Sequence, residues 1–354
     1  MKKTFSVLLS TLLIAGCLSA CGAEAQPAAD SATQVSTETA ASHADNIQIV
    51  TTIFPEYDWV MNILGDSSAD AEVTMLLDNG VDLHSFQPSA EDILKISSCD
   101  LFIYVGGESD QWVDEALDGA QNQDMVVINL LDVLGDSVKE EEVIEGMQTE
   151  EHEHDHDDAH DEDEEEHEHE HEEGDVEYDE HVWLSLKNTT VLVENISQAL
   201  ETLDPDNADT YASNTSDYVD KLNALDSKYQ DTVSNSTYNT LLFGDRFPFR
   251  YLVDDYNLNY YAAFVGCSAE TEASFETITF LANKMDELSL PVIMTIEGAD
   301  YKIAETIIQN TQTKDQQILT LDSMQSVTAK DVENGASYLS IMENNLSVLK
   351  DALK

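Results

Sequence analysis

Basic residues are scarce in this chain. Of 354 residues only 15 are Lys or Arg, against 72 Asp or Glu, and the formal net charge is −57 at pH 7. A surface so short of cations cannot neutralise phosphates, which excludes nucleic acid and anionic lipid as partners. It favours accumulation of cations instead. Cysteine is also rare: there are four, and Cys17 and Cys21 sit close together near the N-terminus. No two are spaced CxxC, so a cysteine zinc knuckle and thioredoxin-like chemistry have no support. No nucleophile–base pair can be picked out, so the chain is not expected to be an enzyme. Histidine is confined: there are ten, three lie outside one short tract, and none follows His181.

That tract is EHEHDHDDAHDEDEEEHEHEHEE, residues 151–173. It carries His152, His154, His156, His160, His167, His169 and His171 among fifteen acidic residues, with Ala159 as its single apolar residue. Such a segment cannot bury enough apolar surface to offset the entropy of ordering it, so a disordered loop spanning about 140–176 is expected. Neutral imidazoles among carboxylates suit a borderline divalent metal such as zinc.

The N-terminus reads as a secretory signal. Lys2 and Lys3 precede an apolar run from Phe5 to Ile14, too short for an ordinary membrane-spanning helix. The tetrapeptides IAGC (14–17) and LSAC (18–21) resemble the bacterial lipoprotein cleavage box. Cys21 is the expected lipidated residue and Cys17 the alternative, which would anchor the protein to the outer face of the cell membrane. Residues 22–46, rich in Ala, Ser, Thr, Gln and Glu, read as a flexible tether. Cys99 and Cys267, 168 residues apart, are then left as a disulfide or as two buried thiols, the thiols being preferred.

With 42% hydrophobic residues the remainder can build cores. Apolar β-rich runs at 47–54, 71–77, 101–106 and 125–130 alternate with helical patterns at 57–65, after Ser89, and near 113–120. After the tract come helices over about 188–203 and from Pro205 toward Tyr229. Alternation then resumes, with strands at 240–244, 260–266, 292–296 and 317–322. Helices fall between them, at 249–258, 274–288 and 301–310, and a last one covers 337–353. Strands alternating with short helices indicate parallel sheets. The expected fold class is α/β, with two lobes, each a parallel sheet flanked by helices, joined by a long helix. The N-terminal lobe would span 47–186, the connecting helical segment 187–236 and the C-terminal lobe 237–354.

Ligands of open α/β folds bind near the carboxyl ends of strands. His84 lies in loop-like sequence beyond the second strand. His181 borders the tract, with Asp179 and Glu180 beside it to orient its ring. With no histidine in the second lobe, a metal bridging the lobes would take carboxylates from strand ends there. Asp245, Glu270, Glu297 and Asp322 are the candidates, although an acid in that place is also a common helix cap. Arg246 and Arg250 stand beside Asp245 and could engage a nearby carboxylate.

The segments GVDLHSFQPS (80–89), EHVWLSL (180–186), TEASFETI (271–278) and TLDSM (320–324), in this order, resemble the metal-receptor lipoproteins of bacterial zinc and manganese ABC importers. The resemblance covers roughly 47–354. It implies two α/β lobes around a cleft, a rigid connecting helix, and metal held between the lobes by His84, His181 and Asp322. It also implies a monomer serving a membrane ABC permease with its ATPase. The third ligand of that family falls at Gly244. Asp245, Glu270, Glu297, a tract histidine or water is therefore left to replace it. Imidazole content and the tract favour Zn2+ over Mn2+. A surface adhesin or metal-buffer lipoprotein is the other reading.

Overall fold

The computed structural model describes residues 46–148, 177–268 and 272–354. The lipobox cysteines Cys17 and Cys21, the tract histidines and Glu270 lie outside the described residues. Among the described residues no helix is long and apolar enough to cross a membrane.

Two four-stranded parallel sheets form the frame. The first holds β1 (Ile47–Thr51), β2 (Ala71–Met75), β3 (Leu101–Tyr104) and β4 (Val126–Asn129) in the order β2-β1-β3-β4. Its helices are α1 (Phe54–Leu64), α2 (Ala90–Ser98), α3 (Trp112–Asp118) and α4 (Leu130–Leu134). Two long helices follow, α5 (Leu186–Leu203) and α6 (Ala208–Ser234). The second sheet contains β5 (Thr240–Phe247), β6 (Asn259–Val265), β7 (Val292–Ile296) and β8 (Gln317–Leu321) in the order β6-β5-β7-β8. Its helices are α7 (Arg250–Tyr256), α8 (Phe275–Leu288), α9 (Lys302–Asn310), α10 (Ala329–Glu333) and α11 (Tyr338–Ala352). The two sheets are wound alike, although no internal repeat is visible in the sequence. In each the winding direction reverses beside the first strand, at β1/β3 and at β5/β7. These switch points are where open α/β sheets bind ligands.

Local chemistry accounts for most element ends. Ser89, Ser274 and Ser337 cap α2, α8 and α11 through their hydroxyls. Pro55, which the apolar run 47–54 suggested would close a strand, instead occupies the first turn of α1, where a missing N–H costs nothing. The buried Glu56 accepts from the N–H groups of Thr52 (2.8 Å) and Ile53 (3.2 Å) and so caps α1 from within. The short helices α4 and α10 were not anticipated; five residues are too few to show a period.

The helix α6 buries Tyr211, Thr215, Tyr218, Leu222, Leu225 and Tyr229 along one stripe. At 1.5 Å per residue it is about 40 Å long. The Tyr218 hydroxyl reaches Asp58 of α1 (3.3 Å), and the Tyr229 hydroxyl donates to the Met342 carbonyl of α11 (2.7 Å). One helix thus packs against elements of both sheets. Nearer the cleft, the Ala329 N–H donates to the Asp78 carbonyl (2.7 Å), and Arg246 pairs with Asp82.

Candidate metal centre

His84 sits in a single 3-10 turn, Leu83–Ser85, beyond β2. The Asp82 carboxylate accepts the His84 N–H (3.0 Å) and so caps that turn. His181 immediately precedes another 3-10 turn, Val182–Leu184, whose three residues are all buried. The two rings lie 5.2 Å apart between centroids, and their Nε2 atoms face each other at 3.3 Å. Two nitrogens bound tetrahedrally to one zinc, each at about 2.05 Å, would be about 3.3 Å apart. The pair already spans one edge of such a tetrahedron.

Each ring is held from behind. Asp179 Oδ1 accepts from both the backbone N–H (2.9 Å) and the ring Nδ1 (3.0 Å) of His181. His84 Nδ1 meets the Ser109 hydroxyl at 2.7 Å and Glu180 Oε2 at 3.4 Å. These partners assign the proton of each neutral ring to Nδ1 and leave a lone pair on each Nε2. Asp179 orients His181 as expected. Glu180 turns the other way, to His84, and accepts the Ser109 N–H at 2.8 Å. Burial works against a charged His181. The Asp179 carboxylate and its hydrogen bond outweigh it, so the pKa lies above the ordinary imidazole value. Burial similarly opposes ionisation of Glu180, but hydrogen bonds from His84 and Ser109 hold its pKa below the usual carboxylate value.

The third residue brought to this point was not foreseen. Cys267, in the turn just beyond β6, places its sulfur so that the ligand atoms of His84, His181 and Cys267 all lie within 4.8 Å of one another. It is the single such group among the described residues. Cys99 and Cys267 are both free thiols. Burial, with Glu141, Glu180 and Asp179 nearby, pushes the Cys267 thiol well above its ordinary pKa. A cavity of about 250 Å³ opens onto His84 and Cys267 and is rimmed by Glu108, Glu141, Glu177 and Glu180.

The expected carboxylates are differently employed. Asp245 accepts the N–H groups of Arg246 (2.9 Å) and Ile296 (3.2 Å) and so braces β5 against β7. Glu297 accepts from the Ser323 N–H and hydroxyl (both 2.7 Å) and from the Gln325 N–H (3.1 Å). Asp245 thus ties two strands together, and Glu297 caps the loop after β8. Asp322 accepts the Met324 N–H at 2.8 Å through Oδ1, and its carboxylate stays outside the 4.8 Å group. Burial, reinforced by the charge of Glu297, pushes its pKa up to about 6. Its loop is tied to the His181 turn, because Trp183 Nε1 donates to the Ser323 carbonyl at 2.8 Å. The arginines beside Asp245 pair elsewhere: Arg246 with Asp82, and Arg250 with Glu142 and Asp254.

Gly244 has a steric reason. The β5 ladder slips register between Phe243 and Arg246. A Cβ built on Gly244 would stand 2.7 Å from Ala304 Cα and 3.0 Å from Ala304 N, both backbone atoms of α9. A ligating side chain does not fit there.

The description "Zinc-uptake complex component A periplasmic" matches residues 49–352. The chain belongs to this family. The zinc-binding lipoprotein AdcA of Streptococcus pneumoniae is 31% identical over 304 residues, which cover 86% of this chain and 55% of that protein. This chain therefore spans about half the length of the AdcA relatives it matches. The high-affinity zinc uptake system protein ZnuA of Bacillus subtilis is 30% identical over 312 residues, 88% of this chain and 89% of that protein. Among solved structures, the Zn(II)-bound ZnuA-like domain of Streptococcus pneumoniae AdcA superposes with a TM-score of 0.64 at 26% identity, covering 87% of this chain and 99% of that one. The two-lobed α/β architecture is the fold of this family.

Proposed function

We propose that the protein is an extracytoplasmic receptor that captures Zn2+ at His84 and His181, between its two lobes, and presents it to a membrane ABC permease with its ATPase. The observation that carries the reading is the pair of Nε2 atoms 3.3 Å apart, each ring fixed by an acceptor at Nδ1. Side chains already held in position lose little freedom on binding, so affinity need not be spent on ordering them. The family relationship and the names of the Zn(II)-bound relatives support the same cargo.

In this reading, zinc meets the acidic tract first, and the tract acts as an accessory that raises local cation concentration. The cleft holds the specific site. Asp322, on the loop clamped to Trp183, is the carboxylate best placed to join as the lobes adjust. The protein works as a monomer anchored through Cys21, with lobes at 47–186 and 237–354 and helices α5 and α6 between them. A catalytic role has less support. The strings HEHDH (152–156) and HEHEH (167–171) match H-E-x-x-H in letters, but they lack the apolar positions a metalloprotease helix would bury.

The test is a competitive zinc titration of the chain with and without residues 151–173, each also carrying His84→Ala or His181→Ala. One tight site should survive deletion of the tract and vanish with either substitution. A tract-deleted chain that binds no stoichiometric zinc would sink the receptor reading.

A further inference from the structure

We propose that Cys267 is the third ligand of the cleft metal, taking the place of the imidazole that Gly244 cannot carry. The inference rests on the receptor reading and gives its site a specific chemistry, two imidazole nitrogens and one thiolate sulfur rather than nitrogen and oxygen alone. Three observations converge on it. First, the sulfur lies with a ring nitrogen of each histidine inside a 4.8 Å group. Around a tetrahedral zinc, a sulfur at about 2.3 Å and a nitrogen at about 2.05 Å are about 3.6 Å apart. The 4.8 Å limit leaves the sulfur at most about 1.2 Å beyond that spacing from a nitrogen of either imidazole.

Second, the backbone is shaped to bring it there. A Cβ on Gly266 would stand 3.1 Å from His181 Cε1 and 2.9 Å from the Phe247 carbonyl. Glycine at 266 lets the end of β6 pass against the His181 ring, and Cys267 is the next residue. The Cys267 N–H donates to Glu141 Oε1 at 3.3 Å, which fixes the turn. Third, two of the competing donors of the second sheet are occupied. The oxygens of Asp245 and Glu297 are committed to backbone N–H groups and to the Ser323 hydroxyl. On binding, the S–H bond gives way to a metal–sulfur bond and the proton passes to solvent. A thiolate beside two imidazoles selects zinc strongly over manganese, which prefers oxygen.

The experiment uses the full chain loaded with Co2+, whose thiolate complexes absorb in the near ultraviolet by sulfur-to-metal charge transfer. The acidic tract contains no cysteine, so it cannot contribute that band. The band should appear at one equivalent, disappear in Cys267→Ser, and persist in Cys99→Ser. Zinc affinity of Cys267→Ser should fall by more than the roughly 10–100-fold typical of lost supporting hydrogen bonds. In wild type, one equivalent of Zn2+ should protect Cys267 from alkylation, read by peptide mass spectrometry, and His181→Ala should remove the protection. This second readout needs no cysteine variant to fold. Visible Co2+ bands that depend on His84 and His181 without a thiolate band, and alkylation indifferent to zinc, would overturn the proposal and leave the receptor reading standing. Metal binding indifferent to both histidines would overturn the receptor reading itself.

Discussion

Substituting Gly244 tests whether the packing of α9 on β5 keeps a side chain out of that position. The perturbation is Gly244→Ala, with Gly244→His as its functional counterpart. The new Cβ would meet Ala304 Cα at 2.7 Å, Cβ at 2.9 Å and N at 3.0 Å. Carbon atoms rest at about 3.5–4.0 Å, so α9 must retreat from β5 by about 0.8 Å or more. Ala304, Ile307 and Ile308 of α9 are buried in the second lobe's core, so the helix cannot move without disturbing that packing. Overpacking of this kind costs about 1–3 kcal/mol, which in a chain of this size lowers Tm by roughly 2–10 °C. Thermal unfolding of the metal-free chain, followed by circular dichroism, measures it. Ala304→Gly should recover part of the loss in a double-mutant cycle, since it removes the 2.9 Å contact but leaves the one at 2.7 Å. Gly244→His should be destabilised further and gain no zinc affinity. An unchanged Tm in Gly244→Ala, or tighter zinc binding in a fully stable Gly244→His, would refute the steric account.

Three other outcomes are expected. Asp179→Asn removes the carboxylate that fixes the His181 tautomer and should weaken zinc binding about 10–100-fold with little change in fold, as seen by competition titration and circular dichroism. Asp58, pushed up to about 6 by burial in spite of hydrogen bonds at its carboxylate, favours the folded state most when protonated. That contribution is full below about 3.8 and lost as pH rises through about 6, a span worth roughly 3 kcal/mol in all. Urea unfolding of the metal-free chain should therefore show wild type gaining on Asp58→Asn by on the order of 1 kcal/mol between pH 7.5 and pH 5; parallel pH profiles would contradict it. Trp183→Phe removes the donor to the Ser323 carbonyl and should cost about 1–3 kcal/mol of stability, since a buried acceptor is left unmade. It should also loosen the Asp322 loop, visible as faster amide exchange at 322–325.

Much of the frame was legible because its signals are local. Apolar runs of five residues bounded by turn residues marked the strands, and Ser89 and Ser274 marked helix starts. His84 and His181 stood out because they lie outside apolar periodicity and inside recognisable segments, and Asp179 because it is adjacent. Cys267 could not be found in this way. Its partners are far from it in sequence, and a lone cysteine after an apolar strand looks like a core residue. The strand-end rule that singled out Asp245, Glu270, Glu297 and Asp322 would have reached it had it been applied to sulfur as well as to acids. Asp245 and Glu297 show the converse: strand-end carboxylates that the fold uses to receive backbone N–H groups. The meaning of Gly244 depends on Ala304, sixty residues later, and only the packing of α9 on β5 shows it.

The central claim is that one metal ion sits between His84 and His181. Anomalous scattering recorded above and below the zinc edge from crystals of the zinc-loaded chain tests it most directly. The predicted result is a single strong peak about 2.0–2.1 Å from both Nε2 atoms and about 2.3 Å from the sulfur of Cys267. A strong peak held by other residues, with the space between the two imidazoles empty, would contradict the account.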